Sequence, residues 1–247
     1  MSRSREGAGA ITSDWRGIPA ALHCPPMIPR ATPPDASGLR LISGFLDRAD
    51  QEALVAALED IIRQAPLFTP FMPGTGKPFS VHMTNCGPLG WVSDAGGYRY
   101  QGAHPVTGKP WPPMPELLLR AWAALSDYPD PPQACLVNYY GPAARMGLHQ
   151  DRDEEDFSAP VVSVSLGATC RFRIGGHVRT QPTRSFLLGS GDVVVMAGAS
   201  RLAFHGVDRI LPGTSTLLPD GGRINLTLRR VSRPMHGRAS SRHVTGP

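Results

Sequence analysis

The second half of the chain is a series of short apolar runs separated by residues that break regular structure. From Cys135 onward the runs are rich in β-branched and aromatic residues, and Gly, Asp or Pro interrupts them: CLVNYY, VVSVSLG, CRFRIGG, RSFLLG, GDVVVMAG, LAFHGV and RINLTLRRV. Such runs are typical of β-strands, and their spacing of about 8–15 residues predicts a barrel or a sandwich. The 26 Pro and 27 Gly in 247 residues favour frequent turns, which suit a β-rich fold better than a helical bundle.

Two helices are predicted ahead of these strands. Apolar residues recur at helical spacing between residues 47 and 65, with Asp47 and Asp50 as candidate N-terminal caps. A second helix is predicted over residues 114–125, where Pro115 suits the first turn. The stretch between them, about 67–113, has the composition of long loops and short strands. The predicted fold class is α+β, mostly β: a double-stranded β-helix, or jelly roll, buttressed by two helices.

The two ends of the chain lack this periodicity. Residues 1–36 are rich in Ala, Pro, Gly and Arg, and we expect them to form a flexible N-terminal extension. Residues 233–247 (RPMHGRASSRHVTGP) are expected to form a disordered basic tail. The remainder divides into residues 37–132, which supply the helical support, and residues 133–232, which form the jelly-roll core.

Composition narrows the class of protein. Four cysteines lie far apart without CxxC spacing, which disfavours a zinc site or a disulfide framework and suits a reducing cytosol: Cys24, Cys86, Cys135 and Cys170. No run approaches the roughly 20 apolar residues of a membrane span, and the N-terminus lacks the apolar stretch of a secretory signal. We therefore expect a cytoplasmic protein with no membrane partner. Its formal net charge of +5 fits a polyanionic partner such as nucleic acid.

Two histidines and an aspartate form a candidate metal site. His149 and Asp151 are two residues apart, so on a strand or at its edge their side chains point the same way. His205 follows 54 residues after Asp151 in another apolar run, LAFHGV. Two imidazoles and one carboxylate define the facial triad of non-haem iron(II) oxygenases, which leaves positions free for a chelating co-substrate and O2. The alternative is a solvated acidic turn, because three more acids follow: Glu154, Glu155 and Asp156.

A second group of polar residues lies near the C-terminus. At a period of two, one face of a predicted strand is apolar and the other is polar, with Arg223, Asn225, Thr227 and Arg229. If the polar face points into the barrel, its guanidinium groups need anions, and each can hold one carboxylate of a keto diacid through forked hydrogen bonds. Two polar residues of another strand supply further donors: Asn138 and Tyr140. The alternative is an edge strand with a solvated charged face.

Several motifs together resemble the AlkB family of nucleic-acid dealkylases. The strings HQDRDE, VVSVSLG, GDVVVMAG, SRLAFHG and RINLTLR are similar to the family's catalytic core, and MTNCGPLGWVSDAGGYRYQ with TGKPWPPMP is similar to its nucleotide-recognition lid. The resemblance runs from about residue 43 to residue 230 and implies that segment 37–132 includes this lid. One position departs from the pattern, because Met196 stands where a Trp is expected. Methionine is smaller and more flexible, so pocket shape or oxygen access is expected to differ.

The resemblance implies an iron(II)- and 2-oxoglutarate-dependent dioxygenase that repairs alkylated nucleic acid, with O2 as the second co-substrate. The implied reaction is oxidative demethylation of 1-methyladenine and 3-methylcytosine, with formaldehyde, succinate and CO2 as products. The implied substrate is single- or double-stranded DNA, with RNA as an alternative. We expect the enzyme to act as a monomer.

The same resemblance implies roles for individual residues. The implied iron ligands and catalytic residues are His149, Asp151 and His205. The implied 2-oxoglutarate contacts are Asn138, Tyr140, Arg223, Asn225 and Arg229. The implied substrate contacts are Trp91, Tyr98, Tyr100, Asp153 and Arg179. As alternatives, Trp91 and Tyr98 are core aromatics of a loop-rich lid, and Asp153 is a surface acid beside Arg152.

Two other functions stay open at this point. One is an iron and 2-oxoglutarate hydroxylase of a protein or a small molecule, which the lid motif and the basic charge disfavour. The other is a non-enzymatic nucleic-acid binder on the same fold. The complete triad and the paired arginines disfavour that second function.

Overall fold

The structure is a computed structural model that describes residue 35 and residues 37–233. Most of the predicted N-terminal extension and of the predicted basic tail therefore lies outside the described residues. Within them, no helix is long and apolar enough to cross a membrane.

Strands dominate the described residues, as the sequence predicts. The strands before the second helix are β1 (Leu39–Ile42), β2 (His82–Cys86), β3 (Gly90–Asp94) and β4 (Gly97–Gln101). Those after it are β5 (Ala134–Tyr140), β6 (Met146–His149), β7 (Val161–Gly167), β8 (Thr169–Ile174), β9 (Arg184–Leu188), β10 (Val193–Met196), β11 (His205–Leu211) and β12 (Arg223–Arg229). The helices are α1 (Arg48–Gln64) and α2 (Glu116–Leu125), and a short 3-10 helix spans Gly198–Ser200.

The strands form two antiparallel sheets and a separate hairpin. A major sheet has the order β1-β10-β7-β12-β5-β2, and a minor sheet has the order β6-β11-β8-β9. Strands β3 and β4 pair with each other and with no other strand of the described chain. This arrangement confirms the predicted mostly β jelly roll with two helices. Strands β1 and β2 come from segment 37–132, yet they are the edges of the major sheet, and the division at residue 132 stays a prediction.

Two apolar cores lie on opposite faces of the major sheet. On one face, α1 and α2 pack against β7 and β12 through residues such as Leu58, Trp122, Val164 and Leu226. On the other face, apolar residues of the two sheets meet between them, among them Phe172 of the minor sheet. Because side chains alternate along a strand, β12 can give apolar residues to the helices and polar residues to the space between the sheets.

The helix predictions are confirmed in type, with one change of boundary. Helix α1 begins after Asp47, whose carboxylate accepts a hydrogen bond of 2.8 Å from the backbone N–H of Asp50. Helix α2 begins at Glu116, two residues later than predicted, and Pro115 is its N-terminal cap with an extended ψ of 139°. Proline disfavours the helical conformation in the residue before it, so Met114 is excluded from the helix.

One predicted strand starts later than the apolar run that suggested it. The run LAFHGV was predicted as a strand from Leu202, but β11 begins at His205. The 3-10 helix over Gly198–Ser200 and the turn after it take up Leu202 and Ala203. This turn places His205 at the first position of its strand.

Candidate active site

One cavity between the two sheets is lined by all the candidate ligands and substrate contacts predicted from the sequence. Its volume is about 730 Å³. The three candidate metal ligands line it, and so do all five candidate 2-oxoglutarate contacts and all five candidate substrate contacts. Residues from β4, β5, β6, β11 and β12 meet here, which the sequence could not show because they are far apart along the chain.

The three candidate ligands converge at the edge of the minor sheet. His149 ends β6 and His205 begins β11, and the two are direct partners across these antiparallel strands. Asp151 follows β6 by two residues. The Nε2 atoms of His149 and His205 lie 3.7 Å and 3.9 Å from the two carboxylate oxygens of Asp151. One ligand atom from each residue lies within 4.8 Å of the others, a spacing that one metal ion can bridge.

The hydrogen bonds of both imidazoles orient the rings for a metal. The Nδ1–H of His149 donates to the carbonyl oxygen of Gly147, and the Nδ1–H of His205 donates to that of Ala203, each over 3.0 Å. With the proton fixed on Nδ1, the lone pair of Nε2 points to the centre of the triad, as metal-binding histidines require. Burial, and then the neighbouring His149, lower the pKa of His205 to about 4, so this ring is neutral at pH 7.

The carboxylate of Asp151 is buried, and one of its two oxygens accepts a hydrogen bond from the described residues. Its Oδ1 accepts a 2.9 Å hydrogen bond from Arg229, but the buried Oδ2 has no hydrogen-bond partner among the described residues. Burial alone raises the pKa of Asp151, but Arg229 and the two imidazoles outweigh it and hold the pKa below its usual range. A buried anionic oxygen without a donor is costly, and a divalent cation satisfies it. The donor set therefore fits iron(II).

The backbone of β6 and β11 approaches closely beside the triad. Gly206 follows His205, and a Cβ atom at this position would lie 2.5 Å from the carbonyl oxygen of Met146 and 2.9 Å from that of Gly147. Only a residue without a side chain permits this contact. The separation of the two imidazoles thus depends on a glycine that is not itself a ligand.

The polar face of β12 points into the cavity, as the period of two predicts. The alternative of a solvated edge strand is wrong, because β12 is a central strand and all seven of its residues are buried. Arg223 donates to the hydroxyl of Ser165 over 2.7 Å and makes longer bonds to two backbone carbonyls. No carboxylate of the described residues pairs with it, and its Nε has no partner.

A buried guanidinium without a carboxylate needs an anion from outside the chain. Asn138 is also short of a partner, since its buried Oδ1 accepts no hydrogen bond from the described residues. Asn225 donates to Ser163, and burial raises the pKa of Tyr140, which keeps its hydroxyl protonated as a donor. One cationic and several neutral polar groups therefore surround a space that suits a small dicarboxylate such as 2-oxoglutarate.

The β3–β4 hairpin covers the cavity with aromatic side chains. The rings of Trp91 and Tyr98 stack at 5.5 Å with 17° between their planes, and Tyr98 is 51% exposed at the mouth. The indole N–H of Trp91 donates to the Asp153 carboxylate over 2.8 Å. Arg179 donates to the carbonyl oxygen of Leu148, and its guanidinium lies over the ring of Phe204. The aromatic pair is thus a surface over the cavity, and Asp153 faces it.

Two buried charged residues near the triad were not identified from the sequence. Glu154 accepts hydrogen bonds from the Tyr100 hydroxyl over 2.5 Å and from Arg201 over 3.1 Å. Arg201 also donates 2.7 Å and 2.8 Å bonds to the carbonyl oxygens of Asp151 and Ala159. The solvated acidic turn is therefore wrong for Glu154, whose side chain is only 1% exposed. Arg201 lies in the motif SRLAFHG, but nothing in that string indicates a partner 47 residues away.

Met196 also lines the cavity, at the end of β10. It is 2% exposed and belongs to the apolar core between the sheets. The position that departs from the family pattern is thus part of the pocket wall.

Comparisons with known proteins agree with this geometry. The model of the 2OG-Fe(II) oxygenase superfamily matches residues 38–229. The chain is 58% identical over 194 residues to an alpha-ketoglutarate-dependent dioxygenase AlkB homolog of Caulobacter vibrioides, covering 78% of this chain and 88% of that protein. It is 43% identical over 204 residues to the alpha-ketoglutarate-dependent dioxygenase AlkB of Escherichia coli, covering 81% and 93%.

A solved structure supports the same assignment at the level of the fold. OsALKBH1 superimposes with a TM-score of 0.66 at 31% sequence identity, over 81% of this chain and 99% of that one. The triad, the buried arginines and the aromatic hairpin are in place within the matched region. The chain belongs to the AlkB family of the 2OG-Fe(II) oxygenase superfamily and is an iron(II)- and 2-oxoglutarate-dependent dioxygenase.

Proposed function

We propose that this enzyme removes the methyl group from 1-methyladenine and 3-methylcytosine in nucleic acid. The observation that carries the proposal is one cavity that joins the His149, Asp151 and His205 triad to the Trp91 and Tyr98 surface and to Asp153. When bound, iron(II), 2-oxoglutarate and O2 supply the oxidation that converts the N-methyl group into a hydroxymethyl group, which leaves as formaldehyde beside succinate and CO2. The protein supplies binding, orientation and exclusion of water.

We assign the iron to His149, Asp151 and His205. The Nδ1–H bonds of both imidazoles, which leave each Nε2 directed at the triad, and the Oδ2 of Asp151, which has no hydrogen-bond partner among the described residues, support this assignment. Asp151 is held in place by Arg229 from β12 and by Arg201, which donates to its backbone carbonyl. These contacts fix the ligand before metal arrives.

We assign the co-substrate to the polar wall formed by β5 and β12. Arg223, which no carboxylate of the described residues contacts, holds one carboxylate of 2-oxoglutarate. Arg229 lies beside Asp151 at the other end of the strand and suits the carboxylate nearer the metal. Asn138, Tyr140 and Asn225 complete the wall with neutral polar groups.

The substrate assignment rests on charge and shape. Both proposed bases are cationic when methylated on the pairing edge. An aromatic face attracts a cation with about 0.5–2 kcal/mol, and Trp91 and Tyr98 offer such faces. The Asp153 carboxylate adds a negative charge beside the indole. Asp153 and the aromatic pair therefore favour the cationic damaged base over its neutral parent.

A base in a duplex must leave the stack to reach the triad. The methyl group on the pairing edge weakens pairing and so lowers the cost of extrusion. Single-stranded DNA, which has no such cost, is the simplest substrate. Duplex DNA and RNA are alternative substrates for the same demethylation.

An assay of repair coupled to succinate tests this proposal. The metal-free full chain is loaded anaerobically with iron(II) and 2-oxoglutarate and exposed to air with a methylated single-stranded DNA oligonucleotide or the matched RNA. We expect unmodified base, formaldehyde and succinate in equal amounts. Succinate without repaired base would instead support a hydroxylase of a protein or small molecule. Binding of the oligonucleotide without succinate or repair would support a non-enzymatic binder.

We also propose that the enzyme acts as a monomer in the cytoplasm, with its lid and core divided near residue 132. Support for the compartment comes from Cys86, Cys135 and Cys170, which are buried free thiols. Light scattering of the loaded protein tests the monomer, and a molar mass twice that of the chain would contradict it.

A further inference from the structure

Only two lysines occur in this chain, Lys77 and Lys109, whereas the other basic residues are arginines or histidines. Both stand in the same four-residue string, Thr-Gly-Lys-Pro, at 75–78 and at 107–110. The two strings belong to turns on either side of β3 and β4 in sequence. We call residues 72–77 and 104–109 the first and second TGK turns.

The first TGK turn is closed by four hydrogen bonds, one of them a 3.3 Å bond from the N–H of Thr75 to the carbonyl oxygen of Met72. The N–H of Met72 donates to the carbonyl oxygen of Lys77 over 2.9 Å, and the N–H of Gly76 donates to that of Met72 over 2.8 Å. The N–H of Lys77 donates to the Thr75 hydroxyl over 3.3 Å. Gly76 has a φ of 64°, which favours glycine, and a β-bridge joins the flanking residues Phe71 and Pro78.

The second TGK turn repeats three of these four bonds, whereas the N–H of Thr107 donates to the Nδ1 of His104 over 3.2 Å. The N–H of His104 donates to the carbonyl oxygen of Lys109 over 2.8 Å, and the N–H of Gly108 donates to that of His104 over 2.9 Å. The N–H of Lys109 donates to the Thr107 hydroxyl over 3.4 Å. Gly108 has a φ of 69°, and a bridge joins Ala103 and Pro110. Both turns therefore present an exposed lysine from a backbone closed by the same three hydrogen bonds.

The two turns are anchored near opposite ends of the β3–β4 hairpin. Phe71, at the base of the first turn, exchanges hydrogen bonds with Ser93, which pairs with Tyr98 near the hairpin tip. At the base of the second turn, Gln101 donates to Ala103, at the open end of the hairpin where Gln101 pairs with Gly90. Positions 90 and 93 are about 10 Å apart at about 3.3 Å per residue. This length matches about three stacked nucleotides at about 3.4 Å each.

The lysines are the uncompensated charges of this part of the molecule. Segment 66–115 contains four Lys, Arg, Asp or Glu residues, namely Lys77, Asp94, Arg99 and Lys109. Asp94 and Arg99 neutralise each other through paired hydrogen bonds of 2.8 Å and 2.9 Å. Neither lysine forms an ion pair with any residue in the described part of the chain. The hairpin with its aromatic pair thus has one lysine charge near each end that no described carboxylate neutralises.

We propose that the two TGK turns form a clamp for the nucleic-acid backbone, with Lys77 and Lys109 each binding a phosphate on either side of the nucleotide that enters the cavity. The ammonium group of lysine binds phosphate as a compact point charge and needs no fixed fork, which suits a strand without sequence preference. Met72 of the first turn lines the cavity mouth, so this turn meets the strand beside the target base. The clamp rests on the proposed function, and it adds the residues that hold the strand.

The dependence of binding on salt tests the clamp. The full chain is loaded anaerobically with iron(II) and 2-oxoglutarate, and fluorescence anisotropy measures its affinity for a labelled methylated single-stranded DNA oligonucleotide across KCl concentrations. Each phosphate contact of a single strand contributes about 0.7 to the slope of log affinity against log salt. We expect Lys77→Gln and Lys109→Gln each to reduce the slope by about 0.7, and the double variant by about 1.4. Lys→Arg at either position should restore the slope.

Arg209→Gln is the matched control, because Arg209 is exposed on β11 and pairs with no acid of the described residues. Its slope should equal that of the wild type. Slopes that do not change in either lysine variant, while wild type binds and repairs the oligonucleotide, would overturn the clamp and leave the proposed function intact. Wild type that neither binds nor repairs would overturn the proposed function itself.

The small number of lysines permits a second, independent measurement. An amine-acetylating reagent modifies the side chains of Lys77 and Lys109, and mass spectrometry reads each site separately. We expect the oligonucleotide to slow acetylation of both lysines at low salt and to lose this effect at high salt. Equal acetylation rates with and without a saturating oligonucleotide would contradict the clamp.

Discussion

At the scale of single residues, the site depends on charges that are buried before any ligand binds. Arg223 is 1% exposed, and within residues 37–233 it has no carboxylate partner and the Oδ2 of Asp151 has no hydrogen-bond donor. Each defect is costly in the protein alone and is relieved by a ligand of opposite charge. The unsatisfied groups thus indicate which ligand each part of the cavity takes. They also make the residues around them sensitive to conservative substitution.

Removal of the Arg223 guanidinium should weaken 2-oxoglutarate binding specifically. We expect Arg223→Ala to raise the 2-oxoglutarate KM by about 30-fold or more, since losing one partner of a buried charged pair costs at least about 2 kcal/mol. The KM is measured by succinate release at saturating iron(II). Arg209→Gln, which removes an exposed cation, should leave the KM unchanged. A KM for Arg223→Ala within twofold of wild type would show that the carboxylate binds elsewhere.

Glu154 is expected to hold the segment that carries Asp151. In Glu154→Gln the buried Arg201 loses its carboxylate, and we expect the free energy of unfolding to fall by about 3 kcal/mol. Urea denaturation of the metal-free protein measures this change. The adjacent Glu155 is exposed, so Glu155→Gln should change stability by less than about 0.5 kcal/mol. Similar stabilities for the two variants would refute a structural role of Glu154.

At the scale of elements, strand β12 contacts the helices with one face and lines the cavity with the other. Its even-numbered residues pack under the helices, and its odd-numbered residues line the cavity. This division was predictable, because a strand with strictly alternating polarity has one face for each environment. The position of β12 in the centre of the major sheet was not predictable from that pattern. An edge strand has the same periodicity, and only pairing with β5 and β7 distinguishes the two.

Helix α2 should contribute to stability and not to ligand affinity. Trp122 is 2% exposed on the helical face of the major sheet, and its indole N–H donates to the carbonyl oxygen of Asp130. We expect Trp122→Ala to lower the free energy of unfolding by about 3–5 kcal/mol, because it leaves a large cavity. The 2-oxoglutarate KM of the fraction that folds should stay within twofold of wild type. A tenfold rise in that KM would show that the two layers are coupled.

At the scale of the whole molecule, the helices, the major sheet and the minor sheet form three layers, and the active-site cavity lies apart from the core under the helices. The helices and the major sheet enclose one apolar core, and the major and minor sheets enclose the cavity. The sequence predicted the strands and the polar face of β12, because each rests on local spacing, whereas the inclusion of His205 with His149 and Asp151 rested on the resemblance to the AlkB family. It did not predict that His149 and His205 are cross-strand partners, nor that Glu154 and Arg201 pair. Those contacts join distant segments, and no local pattern specifies them.

Metal binding should stabilise the whole fold, since the triad exists only when β6 and β11 are paired. At a metal concentration about 100 times the Kd, the gain is about 2.7 kcal/mol. For a domain of this size we expect a rise in Tm of about 5–10 °C. Differential scanning fluorimetry with Mn²⁺ measures it without turnover, and a chelator should reverse it. His149→Ala should abolish the shift, whereas His177→Ala, whose side chain is exposed and outside the triad, should retain it.

The close approach of β6 and β11 at Gly206 leaves no space for a side chain. A single methyl group at this position would push the two strands apart, and each strand carries one of the two imidazoles. Such a variant would keep every donor atom, yet its donors would stand too far apart to share one ion. A comparison of sequences that checks only the three metal ligands would score such a Gly206 variant as active. Tolerance to substitution in this enzyme is therefore set by backbone spacing as much as by the identity of the side chains.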